Sequence, residues 1–286
     1  MLFKKTALIS AGVVAAGGAA LAYGGHRWRT RTTSEVDLLE WSQRGSTRPR
    51  FDEASLEGVP ACVARYFRRV LRPGQPVVRG VRLSQAGHFR LGQADNTWQP
   101  FTAIQVFSAI PPAFVWDARI RFAPGVHVHV RDSYRAGVGA MRGEVLGLLP
   151  IVNAHGTPEM ASGALQRYLA EAMWFPTRLL PGEGITWTAI DDTSAEVTLA
   201  DGGARASLDF HFDAEGNLER AYTPARYREV KGRFEATPWE GVTLSTGERG
   251  GMRVPLEVEV AWHLPAGRFP YFRGRLGDVT YEWETP

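Results

Sequence analysis

The chain carries one cysteine, Cys62, in 286 residues. No intramolecular disulfide is available, and a cysteine-based zinc site, which needs two or more thiolates, is excluded. Cys62 falls in a helical apolar pattern, where a lone thiol behaves as a small buried hydrophobe. A long basic run is missing as well. The net charge is only +3 because acids nearly cancel bases. Nucleic-acid binders concentrate Lys and Arg on one face, so nucleic acid is not an expected partner. Several motifs are absent too: a Gly-x-Ser-x-Gly elbow, a Gly-rich phosphate loop with Lys, and a His-Glu-x-x-His pair. Arg249-Gly250-Gly251-Met252 reads as a hairpin turn rather than a nucleotide loop. No repeat period is present.

What remains is ordinary globular usage, 44% apolar and 22% charged, enough for one large β-rich domain or two small ones. Nine Trp, eight Tyr and fourteen Phe suit half-buried pleated surfaces and apolar pocket walls.

Thr6 to Gly25 run without a charge, with Lys4 and Lys5 before and Arg27, Arg29 and Arg31 after. About twenty apolar residues cover the ~30 Å hydrocarbon core. The expectation is an uncleaved transmembrane helix, with a cleaved signal peptide as the alternative because Ala20-Leu21-Ala22 has the small-x-small form of a cleavage site. Membrane lipids are then partners. The location is a cell membrane, spanned once, with the soluble domain on the extracytoplasmic side and orientation left open by cations at both ends.

Ser34 reads as the cap of a short helix, and Ser46 to Asp52 as a linker. Pro60 opens a helix with Val63, Tyr66, Phe67, Val70 and Leu71 on one face, stopped by Pro73-Gly74. Its other face, Arg65, Arg68, Arg69 and Arg72, reads first as solvated. From Val77 to Val130 the period becomes two. Phe114, Trp116, Ala118 and Ile120 alternate with Val115, Asp117 and Arg119, which marks antiparallel strands with one buried face. Thr157-Pro158-Glu159 then announces the best helix, with Leu165, Tyr168, Leu169, Ala172 and Phe175 on one side and a stop at Pro176. After Gly184 a strand meander resumes through Ile185–Ile190, Ala195–Leu199, Ala204–Phe212 and Leu218–Ala221. Later alternations fall at Leu256–Trp262 and Val279–Trp283.

The expected fold is therefore α+β, mostly antiparallel β: a curved half-barrel sheet around a central helix, plus the N-terminal transmembrane helix. The division is 1–30 for the membrane segment, 31–58 for a linker with a short helix, and 59–286 for the half-barrel. A trough of that kind leaves room for an apolar ligand between sheet and helix. Its expected lining is Phe114, Trp116, Ile120, Leu165, Leu169, Trp174, Phe210 and Trp262.

Polar candidates have simpler readings beside them. His127 and His129 are i, i+2 on a strand and could share a metal, yet no third ligand stands at a diagnostic spacing; a polar outer face is the expectation, with no metal and no cofactor. Asp117, Arg119 and Arg121 read as cross-strand ion pairs. Asp117, His127 and Glu171 would be the groups of an unrecognised hydrolase, but acid–base work needs them within hydrogen-bond reach of one another. No catalytic residue is assigned. The third function class is a structural or partner-binding membrane protein with a filled core and no ligand.

Several strings occur together in order: Trp98-Gln99-Pro100-Phe101, Phe114-Val115-Trp116-Asp117-Ala118, Gly156-Thr157-Pro158-Glu159, Arg167-Tyr168-Leu169-Ala170-Glu171, Trp174-Phe175-Pro176-Thr177 and Pro238-Trp239-Glu240-Gly241. The set resembles a bacterial family of unknown function that has N-terminal hydrophobic segments, over about residues 55 to 283. At fold level the later strands, ending in Met252-Arg253-Val254-Pro255, resemble the lipoprotein-carrier (LolA-like) half-barrels. That likeness implies an acyl chain held between a curved sheet and helices, as an expectation only.

Overall fold

The computed structural model describes residues 2–41, 43, 50–90, 92, 97–201 and 203–284, with side chains from residue 17 onward other than that of residue 41. Strands β1 (Val78–Phe89), β2 (Gln99–Ser108), β3 (Ala113–Ala123), β4 (Val126–Arg135), β5 (Val138–Val145) and β6 (Leu149–His155) form the first arm of a sheet. Strands β7 (Ile185–Ala189), β8 (Ser194–Asp201), β9 (Ala204–Phe212), β10 (Leu218–Val230), β11 (Arg233–Arg249), β12 (Met252–Leu264) and β13 (Gly267–Trp283) form the second. Each arm is a meander of sequential hairpins. The two arms join where β1 pairs antiparallel with β13, Phe89 opposite Phe272 and Val81 opposite Tyr281. The result is one sheet in the order β6-β5-β4-β3-β2-β1-β13-β12-β11-β10-β9-β8-β7.

An antiparallel sheet of that width accumulates right-handed twist and curls. Here it forms a half-barrel. Helix α3 (Pro158–Glu171), which links the two arms, packs on β4 and β5 from one side and on β9 and β10 from the other. It starts as the sequence implies: the Thr157 side chain accepts from the Met160 amide at 3.2 Å, Pro158 opens the first turn, and Glu159 lies in it. Tyr168 donates to the carbonyls of Ser108 and Ala109 in the β2–β3 turn at 3.0 and 3.1 Å, and Trp174 to that of Pro255 at 3.2 Å. Those bonds hold α3 and the following 3-10 turn, Ala172–Trp174, toward one end of the trough.

Helix α2 (Ala61–Val70) packs on β8 and β12, with Tyr66 beside Phe212 and Phe67 beside Trp187. Its arginines are engaged: Arg68 with Glu53, Arg72 with Glu248, Arg69 with Asn217, and Arg65 with the Asp192 carbonyl. Cys62 is buried, and burial pushes its thiol pKa up.

Two expectations change, and the expected membrane span falls largely outside the described side chains. The short helix at Ser34 is the last part of a single helix α1, Leu2–Trp41; the Ser34 hydroxyl donates to the Thr30 carbonyl one turn back instead of capping a start. Among the described residues no helix is long and apolar enough to cross a membrane. Most of the stretch expected to do so, residues 6–16, has side chains outside the described ones, as do most residues of the 46–52 linker. From Gly24 onward α1 lies on the outer face of the first arm. Trp28, Val36 and Leu39 are buried there, the last two against Val106, Ala113 and Val115. Finally, β5, β6, most of β10 and all of β11 stand where sequence periodicity showed no strand. Gly139 in β5 shows why: a Cβ there would lie 2.5 Å from the Met160 carbonyl oxygen, so the approach of α3 demands the residue that weakens the strand signal.

Candidate functional site

Strand pleating sends Val128, Val130 and Asp132 of β4, and Trp116 and Ile120 of β3, to the concave face. From the second arm come Leu218, Ala221, Trp239, Val258, Val260 and Phe272. Between these walls and the C-terminal half of α3 lies a cavity of about 380 Å³. Pockets for small molecules span roughly 300–1,000 Å³, and an engineered cavity of ~150 Å³ already takes benzene. By that scale this space takes on the order of fifteen non-hydrogen atoms. Its wall reaches the surface at Met141 of β5 and Ile151 of β6, both exposed.

One side of the cavity is polar. Arg167 of α3 donates to Asp132 Oδ2 at 2.7 Å and to Glu171 Oε1 at 3.0 Å. Its guanidinium lies over the rings of Trp116 and Phe114, 4.7 and 5.3 Å from their centres. Gln105, fully buried on β2, donates to Glu171 Oε2 at 2.7 Å. Burial pushes the Glu171 pKa up, and the attraction of Arg167 only partly offsets this. Burial likewise works against the Arg167 cation, but Glu171 and Asp132 together more than reverse it and raise its pKa.

Arg226 of β10 is the fourth charge. Between Thr223 and Arg226 the pairing of β10 with β11 slips, so Pro224 and Ala225 bulge out of register. A bulge inverts the alternation after it, and Arg226 comes to line the cavity with its guanidinium 5.0 Å from the centre of the Trp239 ring. Gln166 of α3 pins the bulge by donating to the Ala225 carbonyl at 3.2 Å. Beside it, Tyr271 Oη accepts from Trp239 Nε1 at 3.0 Å, and burial pushes the Tyr271 pKa up.

Of the eight residues expected on the wall, Trp116, Ile120 and Trp174 line this cavity. Phe114, Leu165, Leu169 and Phe210 lie in the close-packed core around α3, fully buried. Trp262, opposite Trp239 on the same face, stacks on Tyr271 with ring centres 5.8 Å apart but does not itself line the cavity. Arg226, Arg167, Asp132 and Tyr271 were missed. Only the Thr223-Pro224-Ala225 break in an otherwise polar run hints at the first of them.

The polar groups of the other readings do not converge. Asp117 and His127 sit on the convex face, whereas Glu171 lines the cavity. Asp117 accepts from Trp28 Nε1 at 2.8 Å, and the His127 Nδ1 atom lies 3.2 Å from an Arg119 nitrogen. His129 packs its ring 5.3 Å from that of Trp28. Among the described residues no cluster of three His, Cys, Asp or Glu is placed to hold a metal ion. Arg131 and Glu144 complete this outer face by pairing with α1: Glu144 with Arg27 at 2.7 Å, and Arg131 with Glu35 at 3.0 Å.

A second space, about 820 Å³, is an open groove between α1 and the outer sheet with Arg29, Asp117 and His127 along it. Its walls mix apolar residues such as Leu21, Ile104 and Leu276 with those charged groups, and it lies more open to solvent than the cavity beside α3.

A search of the curated proteins finds no match. The family model that does match spans residues 57–281, from the turn before α2 to the last strand. The chain therefore belongs to a family of unknown function, DUF6920.

Proposed function

We propose that the protein holds an acyl chain or a similar apolar ligand in the cavity between the curled sheet and α3. The observation that carries this reading is an apolar-walled space of about 380 Å³ with a few convergent polar groups at one side, the combination that distinguishes ligand sites from packing defects. The likeness to lipoprotein-carrier half-barrels points the same way. Membrane attachment through the apolar N-terminal stretch, with the half-barrel on the extracytoplasmic side, is part of the proposal. The exposure of residues 17–23 ahead of the docked part of α1 agrees with it. Recovery of the full chain in the soluble fraction of its cell would speak against attachment.

The ligand reading is tested by filling the space. Val130→Phe and Val260→Phe each add volume to the wall, and each should weaken binding of a polarity-sensitive apolar dye at least tenfold while leaving the circular dichroism spectrum intact. Dye binding unchanged in both variants would place any apolar site elsewhere.

One observation favours a different reading. β6 is an edge strand whose Leu149 and Ile151 are exposed, and such an edge is a template for a partner's strand. A partner-binding module would co-purify one protein and take up no dye.

A further inference from the structure

The cavity holds two donors without acceptors. Arg226 Nη1 is buried with no hydrogen-bond partner, and no carboxylate stands within salt-bridge distance of its guanidinium among the described residues. Asp132 and Glu171, the nearest acids on the wall, are both taken by Arg167. The Tyr271 hydroxyl accepts from Trp239 but has no acceptor for its own proton among the described residues. Both groups lie against the same indole, Trp239, one over its ring and the other on its N–H.

A buried donor left unmade costs the full desolvation of that group, more so for a charged one. Two of them facing one space make a site for an acceptor, and a guanidinium favours a planar anion that takes two parallel N–H bonds. The next residue of the same parity on β10, Arg228, repeats the arrangement. Its guanidinium is 5.9 Å from the centre of the Trp262 ring, its Nε is buried without a partner, and Trp262 stacks on Tyr271. Apart from the Asp132, Arg167 and Glu171 cluster and Thr243, the rest of the wall, from Ile120 and Val128 to Val258, offers hydrocarbon contact.

We propose that the ligand is a single-chain monocarboxylate whose head is held by Arg226 and the Tyr271 hydroxyl, with its hydrocarbon tail along the apolar wall. This rests on the ligand-holding reading above and adds the charge and direction of the ligand. The two acids already beside Arg167 disfavour a dianionic head, and the size of the space suits one chain rather than two.

The test compares dodecanoate with dodecanol, equal in chain length and different in head, by calorimetric titration of the full chain in one lipid-free buffer. Dodecanoate should bind the unaltered protein ten- to about a hundredfold more tightly than dodecanol, the worth of a hydrogen bond to a charged group. Arg226→Gln should remove most of that preference, lowering dodecanoate affinity far more than dodecanol affinity, with an unaltered circular dichroism spectrum as the fold control. Tyr271→Phe should lower dodecanoate affinity by a smaller factor. Equal affinity for the two probes, or a preference that survives Arg226→Gln, overturns the head assignment and leaves the apolar site standing. Binding of neither probe to the unaltered protein overturns both.

Discussion

Arg167 is the side chain whose loss should be felt most, and Arg167→Met isolates its charge while keeping much of its length. The substitution leaves the Asp132 and Glu171 carboxylates without their cation in a setting where their side chains are only 11% and 14% exposed. Removing one partner of a buried ion pair costs about 3–5 kcal/mol, because the remaining charge stays desolvated. The stacking of Arg167 on Trp116 and Phe114 adds about 0.5–2 kcal/mol. A total of about 3.5–7 kcal/mol is a large share of a net stability of roughly 5–15 kcal/mol. At roughly 2–4 °C per kcal/mol, the unfolding midpoint should fall by on the order of 10–20 °C.

The pH dependence gives the loss its signature. Burial already raises the Glu171 pKa above 4.5 with Arg167 present. A carboxyl with a raised folded pKa contributes its stability fully below the unfolded value and loses it as pH rises through the folded one. Without Arg167 that shift grows. The deficit of the variant should therefore be small near pH 5 and large at pH 8, by urea denaturation followed with circular dichroism. Adding Asp132→Asn and Glu171→Gln to Arg167→Met should recover most of it. A loss under about 1 kcal/mol, or one that ignores pH, would refute the picture of a desolvated triad beside the cavity.

Other outcomes follow from the same geometry. Glu144→Gln removes the charge that pairs with both Arg27 and Arg31, at 2.7 and 3.3 Å, and one of the two oxygens they use; hydrogen exchange should rise across residues 24–39 of α1 while β7–β9 stay protected. Gly139→Ala should destabilise by about 1–3 kcal/mol, since its Cβ meets backbone of α3 that has no slack. Burial works against the Glu259 and Glu240 carboxylates, but Arg268, with Arg273 on Glu259, overcomes it and holds both pKa values below 4.5. Their stabilisation is present above 4.5 and is lost as pH falls through the lowered folded values, so Glu259→Gln should flatten the acid limb of the stability profile.

The first arm up to β4 and the α3 start were legible because their signals are local. Alternation of Phe114, Trp116, Ala118 and Ile120 declares a buried face, and Thr157-Pro158-Glu159 declares a helix N-terminus. Alternation does not declare height along the trough. Phe114 and Ile120 share a face, yet Phe114 meets α3 in solid packing while Ile120 stands beyond it on the cavity wall. β5 was hidden by Gly139 and Gly143, placed where α3 and β6 crowd in, and by Arg142 and Glu144 on the outer face. β11 was hidden by charges that arginines of other strands satisfy, as Arg220 of β10 and Arg268 of β13 do for Glu240. For Arg226 the Thr223-Pro224-Ala225 break hints at a bulge, but its direction depends on a slip against β11 that only the pairing reveals. The apolar N-terminal run was legible as helix, but the docking of its far end was not, because Trp28 and Leu39 find their partners on strands distant in sequence.

Native mass spectrometry of the full chain, purified gently and without lipid stripping, addresses the cavity most directly. The expected spectrum shows the chain carrying the added mass of one small single-chain amphiphile, a mass that disappears in Val260→Phe. A folded chain that flies only at its bare mass across repeated preparations, and takes up no added dodecanoate, would contradict a ligand-holding half-barrel.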